Sequence, residues 1–405
     1  MRTGVKLIPL LAIYVFVLAL NPMHHPRSDE TRYMWFAENL SEGFYSPKHD
    51  VHLWNGPGYP LILAPFAGLS LPWVAARALN IAFMLAAVLY FYHMLRRCVS
   101  SRVALISAYI LGLWPPIVRF IPRLMTEPLA VFLVCGLIYH LAALHRSPAR
   151  SWRHLVLVSF YMAYLAMTRV IFGYVIAVGL VVFLVVYLWR RAAEVRKDLL
   201  AYCLALVFCL PYLAYTYSLT GKVFYWANSG GMSLYWMASP YAEDLGDWHL
   251  PTAMRGHPDI AENHTQFFNG IADLSPIEQD EALKRQAIEN IINHPGKYLK
   301  NWIANVGRLL FNYPYSFRTH NLWTYHRIIP GMFLAVLSVL CLYPTYVARR
   351  RIPHEMWFLL LFALVAFGGS SLVSAMNRFF LPLVPICILW IAFTLTRLVR
   401  IEVLR

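Results

Sequence analysis

The feature that most limits what this chain can fold into is a series of long apolar runs, separated by short connections that are alternately rich and poor in arginine. A helix needs about 20 apolar residues to cross a hydrocarbon core of roughly 30 Å, because each residue advances it by only about 1.5 Å. Runs of about that length fall near 5–20, 73–95, 101–118, 127–144, 154–168, 170–189, 198–217, 328–347, 355–373 and 379–397. The chain is 59% hydrophobic and only 14% charged, where soluble domains carry about a quarter charged residues. An all-α polytopic membrane protein with a bundle of about ten transmembrane helices is therefore expected. The short alternating segments of an outer-membrane barrel are absent from the sequence. No small-residue cleavage site follows the first run, and its exit through Asn21-Pro22-Met23-His24-His25 reads as a retained helix rather than a removed signal peptide.

The formal net charge of +15 raises the question of nucleic acid, and the placement of the charge answers it. Basic residues gather in Arg96-Arg97 with Arg102, in Arg146, Arg150 and Arg153, in Arg190-Arg191 with Arg196-Lys197, in Arg349-Arg350-Arg351, and in Arg397 and Arg400. These are every second connection, which is the positive-inside pattern of an inner or plasma membrane protein and gives no sign of a nucleic-acid partner. Both termini are then cytoplasmic. The chain divides into an N-terminal membrane module (1–219) with a first outer loop at 21–72, an outer segment at 220–326, and C-terminal spans at 327–405. Pro60 to Leu71 reads as a short or re-entrant helix within that first loop.

On the outer side the first loop carries Arg27-Ser28-Asp29-Glu30-Thr31-Arg32-Tyr33 and then the rigid turn Asn55-Gly56-Pro57-Gly58-Tyr59-Pro60. A carboxylate can act as general base toward a hydroxyl, and its neighbour can hold an amide, a metal or an arginine. Equally, Ser28 can cap a helix whose first residues are Asp29 and Glu30, where negative charge meets the positive end of the dipole. Thr126-Glu127-Pro128 has the same helix-start grammar, and Glu127 is an ionisable group at the edge of an apolar run, a place where such groups are often functional. Arg119, Arg123, Arg169 and Arg378 lie on the outer side against the positive-inside bias. Each can snorkel to lipid headgroups; convergence on a shared phosphate is the alternative, since a guanidinium binds phosphate in bidentate fashion.

The outer segment is dense in aromatics, among them Tyr235 and Trp236, which suit an interfacial belt or a stacking platform for a sugar or lipid headgroup. Ser275-Pro276-Ile277-Glu278 is a capping box that opens an amphipathic helix to about Asn293. His294-Pro295-Gly296 breaks it, and Lys297 to Phe311 forms a second helix along the membrane surface or against the spans. All six cysteines lie in or beside apolar runs and read as small core residues, so no disulfide or cysteine-ligated metal is expected in the outer segment. His24, His25, His49 and His52 lie near the acids without a metal-ligand spacing, leaving a divalent ion as a possible cofactor and its ligands unknown.

Taken in order, these pieces resemble the GT-C class of polytopic glycosyltransferases, nearest to the bacterial branch related to protein O-mannosyltransferases and the lipid A aminoarabinose transferase. Asp29-Glu30-Thr31-Arg32-Tyr33 resembles that family's acidic motif in the first outer loop. Asn55 to Pro60 is similar to its Pro/Gly turn, and Thr126-Glu127-Pro128 to its second acidic position. Thr168-Arg169 resembles an outer-turn arginine, and Asn377-Arg378-Phe379-Phe380-Leu381-Pro382 the motif opening a late span. The resemblance covers the first 170 residues and the last 30. Asn55-Gly56 stands where the aminoarabinose transferase has a donor-contacting lysine, so donor phosphate contacts would fall to Arg169, Arg378, Arg119 or Arg123. What the resemblance implies is a polyprenyl-phosphate sugar donor, a glycan, lipid or protein acceptor, and an inverting transfer. Asp29 would be the base, Glu30 its support and Glu127 a second acid, with Tyr33, Tyr59, Tyr235 and Trp236 around the donor and acceptor. The competing readings are a ligase or polymerase using a diphosphate-linked donor, for which His249, His257 and His264 leave room, and a flippase for a lipid-linked sugar, which would place its charges at mid-membrane within repeats.

Overall fold

The computed structural model describes residues 5–21, 26, 29–146, 151–249, 256–317, 321–322, 325 and 328–399, and among these it contains helices and no strand. Among the described residues, seven helices are long and apolar enough to cross a membrane: Trp73–Leu95, Glu127–Arg146, Ile171–Arg190, Ala193–Thr220, Ile328–Val347, His354–Ser371 and Asn377–Leu398. Three of the ten expected spans fall short of that standard. Ile8–Ala19 and Ser101–Gly112 are 12-residue helices, the second ending before Trp114-Pro115-Pro116, where a separate turn begins. Ser151–Thr168 has the length but opens on Ser151-Trp152-Arg153-His154, which dilutes its apolar character. Gly58–Gly68 is an 11-residue helix with Pro65 inside it; at about 1.5 Å per residue it reaches roughly half-way across a bilayer core, as expected of a short helix in the first loop.

Glu127–Arg146 is the central helix: 83% of its apolar window is buried, against 17% for Ile328–Val347. Its packing partners include Trp73–Leu95 and Ser151–Thr168. Polar contacts at its two ends fall into two separate sets. At the arginine-rich end, His145 Nε2 and His354 Nε2 stand 2.9 and 2.5 Å from the two oxygens of buried Asp198. Arg146 pairs with Glu355 at 2.7 Å, and Arg397 donates to Cys98 O at 2.6 Å. Each of these contacts joins connections that the charge pattern assigns to one side. The other end carries Glu127 and the contacts described below.

The outer segment contributes Gly230–Met237, Pro258–Gly270, Pro276–Asn293 and Pro295–Phe311. Around Met232, Tyr235, Trp236, Ile260 and Leu283 it builds a small core of its own. The capping box is present, with Glu278 N–H donating to Ser275 Oγ and Ser275 N–H donating to Glu278 Oε2 at 3.0 Å. Pro295–Phe311 packs on the spans: Trp302 Nε1 donates to Ser371 Oγ at 3.1 Å, and Asn305 Nδ2 donates to Ser371 O and Val373 O at 2.8 and 2.7 Å. The six cysteines are all unpaired.

Candidate active site

Asp29 opens the Asp29–Ser41 helix, with Glu30 beside it in the first turn. The proposed Ser28 cap lies outside the described residues, as do His24 and His25. Asp29 is buried, and a buried carboxylate is costly unless paired. Two arginines pair with it. Arg32, one helical turn on, donates to Oδ1, and Arg378 Nη1 stands 2.5 Å from Oδ2. Burial pushes the Asp29 carboxyl up, but the charges of Arg378 and then Arg32 outweigh it and hold the group below the ordinary aspartate value. It is a carboxylate throughout the physiological range.

Tyr33 and Tyr59 form the next layer, edge to face with ring centroids 5.3 Å apart. Asn55 Nδ2 donates to the Tyr33 hydroxyl at 3.1 Å. Burial, reinforced by the Asp29 charge, raises the Tyr33 phenol to about 12, so it keeps its proton. The Asn55–Pro60 turn is set against the end of the Ser151–Thr168 helix so closely that only glycine fits. A Cβ at Gly56 would lie 1.9 Å from Met167 O, and one at Gly58 2.6 Å from Thr168 Oγ1. Tyr164 hydroxyl donates to Gly58 O at 2.8 Å and locks the contact.

That contact places the turn beside Arg169, whose Nη2 lies 2.8 Å from Glu127 Oε1 with both side chains buried. Phe379 links the two arginine sites: the Arg169 guanidinium is 5.5 Å and that of Arg378 5.7 Å from its ring centroid. The 371–378 connection is held by Asn305, whose Oδ1 accepts Ala375 N–H at 3.0 Å, and by Asn377, which donates to Leu309 O at 2.9 Å.

Glu30 points another way. Its Oε1 accepts Leu124 N–H at 2.9 Å, and Asn80 fixes the same loop by donating to Ile121 O at 3.1 Å and Arg123 O at 2.6 Å. Glu30 thus anchors the first-loop helix to the 119–125 connection. Arg119 and Arg123 are exposed on that connection, Arg119 lying over the Phe120 ring at 4.7 Å. Tyr235 and Trp236 sit inside the outer core: Tyr235 hydroxyl is 2.9 Å from His264 Nδ1, and Trp236 stacks with Phe268. The structure therefore gathers Asp29, Tyr33, Tyr59, Glu127, Arg169 and Arg378, with Glu30 alongside as an anchor. It places Arg119 and Arg123 at the exposed surface, and Tyr235 and Trp236 in a separate core.

Arg32 and the loop-holding asparagines carry roles that sequence reasoning did not assign. The i, i+3 spacing of Asp29 and Arg32 was a usable signal for the first. Asn80 and Asn305 gave none, because an asparagine in an apolar or amphipathic run shows its value only through the carbonyls it meets. Two carboxylates (Asp29, Glu127) meet three guanidiniums (Arg32, Arg169, Arg378), while Glu30 is turned to Leu124, so positive charge is in excess where the arginines gather.

Residues 55–215 match the family model described as dolichyl-phosphate-mannose-protein mannosyltransferase; the stretch includes Tyr59, Glu127 and Arg169. No curated protein matches the chain in sequence. Among solved structures, the fold is similar to the oligosaccharyltransferase of Archaeoglobus fulgidus in complex with Zn and sulfate, with TM-score 0.52 and 15% identity over 96% of this chain and 48% of that one. It is also similar to AglB of the same organism in complex with an inhibitory peptide and a dolichol-phosphate, with TM-score 0.50 and 14% identity over 96% and 50%. ArnT from Cupriavidus metallidurans bound to undecaprenyl phosphate gives TM-score 0.44 and 15% identity over 98% and 79%. The chain spans about half the length of the Archaeoglobus proteins, and at these identities the likeness is one of fold.

Proposed function

We propose that this chain, set in the GT-C class of membrane glycosyltransferases by its family match and fold, moves a sugar from a polyprenyl-phosphate donor to an acceptor hydroxyl at the outer ends of its spans. The observation that carries the reading is the Asp29 carboxylate, held ionised between Arg32 and Arg378 with Arg169 across Phe379. It sits where the first loop, the 168–169 turn and the 374–378 connection meet.

The chemistry follows from the charge balance. An acceptor hydroxyl attacks the anomeric carbon, its proton passes to Asp29, and the bond from that carbon to the phosphate oxygen breaks with its electron pair leaving on polyprenyl phosphate. The configuration inverts. The phosphate gains a negative charge as it leaves, and the guanidiniums gathered beside it stabilise that charge. Donor phosphate draws Arg378 away from Asp29; the carboxylate then loses the larger of the two charges that depress it and becomes a stronger base while the acceptor is bound. Tyr33, protonated and packed on Tyr59, supplies a hydroxyl and an apolar wall to the sugar. Glu30 acts by position, holding the helix that presents Asp29. An activated leaving group removes any need for a nucleotide-binding motif.

The ligase reading would use outer-segment histidines; His249 and His264 are buried, and His257 is exposed. Membranes supplied with radiolabelled polyprenyl-phosphate sugars test the assignment. Asp29→Asn should lower transfer by about 10²–10⁴-fold, the usual worth of a general base, with normal insertion. Transfer at the parental rate by a normally inserted Asp29→Asn protein would overturn it.

A further inference from the structure

The outer segment holds a second cluster of ionisable side chains. Asp244 is 0%, Asp247 1% and His249 8% exposed, and two carboxylates so close and so buried require compensation. One oxygen of each receives it from the protein. Asp244 Oδ1 accepts Gly246 N–H at 2.9 Å, and Asp247 Oδ1 accepts Ser316 N–H at 2.8 Å. The Ser316 hydroxyl lies within reach of both Oδ1 atoms while its oxygen accepts Leu245 N–H at 2.7 Å.

The other oxygen of each, Asp244 Oδ2 and Asp247 Oδ2, is buried with no hydrogen bond. Imidazole nitrogens stand opposite at spacings longer than a hydrogen bond, His264 Nε2 3.6 Å from Asp244 Oδ2 and His249 Nε2 3.7 Å from Asp247 Oδ2. One ligand atom each from Asp244, Asp247 and His249 lie within 4.8 Å of one another. Tetrahedral ligands bound at about 2.0–2.2 Å stand roughly 3.3–3.6 Å apart, and the 3.7 Å between His249 Nε2 and Asp247 Oδ2 is close to that.

We propose that Asp244, Asp247 and His249 hold one divalent transition-metal ion. Carboxylate oxygens with imidazole nitrogens favour Zn²⁺ and its neighbours over Mg²⁺ or Ca²⁺, which prefer all-oxygen sites. The surroundings are those of a built site: the Oδ1 oxygens are held by backbone N–H groups, and His264, whose Nδ1 meets the Tyr235 hydroxyl, stands beside Asp244 Oδ2 as a neighbour of the ligands. The Trp236 ring lies edge-on to both imidazoles at 5.0 and 4.7 Å. Trp236 thus orients the His249 ligand, and Tyr235 the neighbouring His264. Trp248, between two of the ligands in sequence, meets Trp54 edge-on at 6.5 Å, and Trp54 lies under Arg32 at 4.9 Å. The ion clamps the wall of the outer segment that faces the Asp29 site. This inference does not depend on sugar transfer.

The test uses the full chain, carrying an affinity tag without histidines, purified in detergent. Elemental analysis should give one zinc-like ion per chain, and Co²⁺ exchanged into the site should show visible ligand-field bands. Chelation should lower the unfolding temperature and Zn²⁺ should restore it. In Asp247→Asn the affinity for Co²⁺ should fall by more than the roughly 10–100-fold typical of an outer-shell change, while Asp198→Asn, in the cluster at the opposite end, should keep it. A metal-free parent that neither takes up Co²⁺ nor responds to Zn²⁺ would overturn the proposal, and so would full metal retention by Asp247→Asn. The Co²⁺ spectrum of the parent decides the matter even if the variants fail to fold.

Discussion

Replacing Glu127 or Arg169 removes one half of an ion pair that the bundle encloses. Glu127 is fully buried, Arg169 is 8% exposed at its side chain, and the contact is 2.8 Å. At an effective dielectric constant of about 20, two unit charges at that distance attract by about 6 kcal/mol. Against that stands a desolvation cost of several kcal/mol per ion. The pair as a whole is therefore near neutral, whereas a lone survivor is not. Glu127→Leu and Arg169→Met should each cost about 3–5 kcal/mol, because each leaves an uncompensated buried charge. The double variant should cost far less than their sum, leaving a coupling energy of at least about 2 kcal/mol. Unfolding titrated with a denaturing detergent in mixed micelles reads all three, and the same preparations can be assayed for transfer. Because the bridge uses only one oxygen and one nitrogen, with Glu127 Oε2 and Arg169 Nε unbonded, there is capacity left for a ligand. The double variant should thus regain stability without regaining transfer. Single-variant losses that add to within about 0.5 kcal/mol would refute the reasoning, since each charge would then be compensated by something other than its partner.

Asp29 titrates below its ordinary value, so the stability that its pairing supplies is complete above the unfolded aspartate pKa of about 3.9 and is lost only as pH falls through the lower folded value. Transfer by the parent should therefore show no Asp29 limb between about pH 5 and 8; a limb there that vanishes in Asp29→Asn would contradict the pairing. Arg378→Ala removes the larger depressing charge, so the acid limb should move upward, and donor binding should weaken at least about tenfold, the equivalent of about 1.4 kcal/mol. Unchanged donor affinity would return Arg378 to a lipid-headgroup role. Gly56→Ala drives a Cβ into Met167 O, so transfer should fall in a protein that still inserts; an unchanged rate would mean that the turn does not position Tyr59 and Arg169.

Much of this protein is legible without coordinates, and the reason is the range of the forces involved. Hydropathy and arginine placement act span by span and loop by loop, so the polytopic class, the alternation of ends and the acid-and-arginine pieces near Asp29, Glu127, Arg169 and Arg378 can be read locally. Capping chemistry is local too, and Ser275 behaves as its sequence says. Partner choice is not local. That Arg378 meets Asp29 while Arg169 meets Glu127 depends on a turn that seats two glycines on Met167 and Thr168, and on asparagines that bind distant carbonyls. The same distance in sequence hid the difference between Glu30, which holds Leu124, and Asp29, which faces two arginines. It also hid the difference between Tyr33, beside the carboxylate, and Tyr235 and Trp236, which pack against buried histidines. Composition set what had to be buried in this membrane protein; only the packed bundle decided which charge is left to face which.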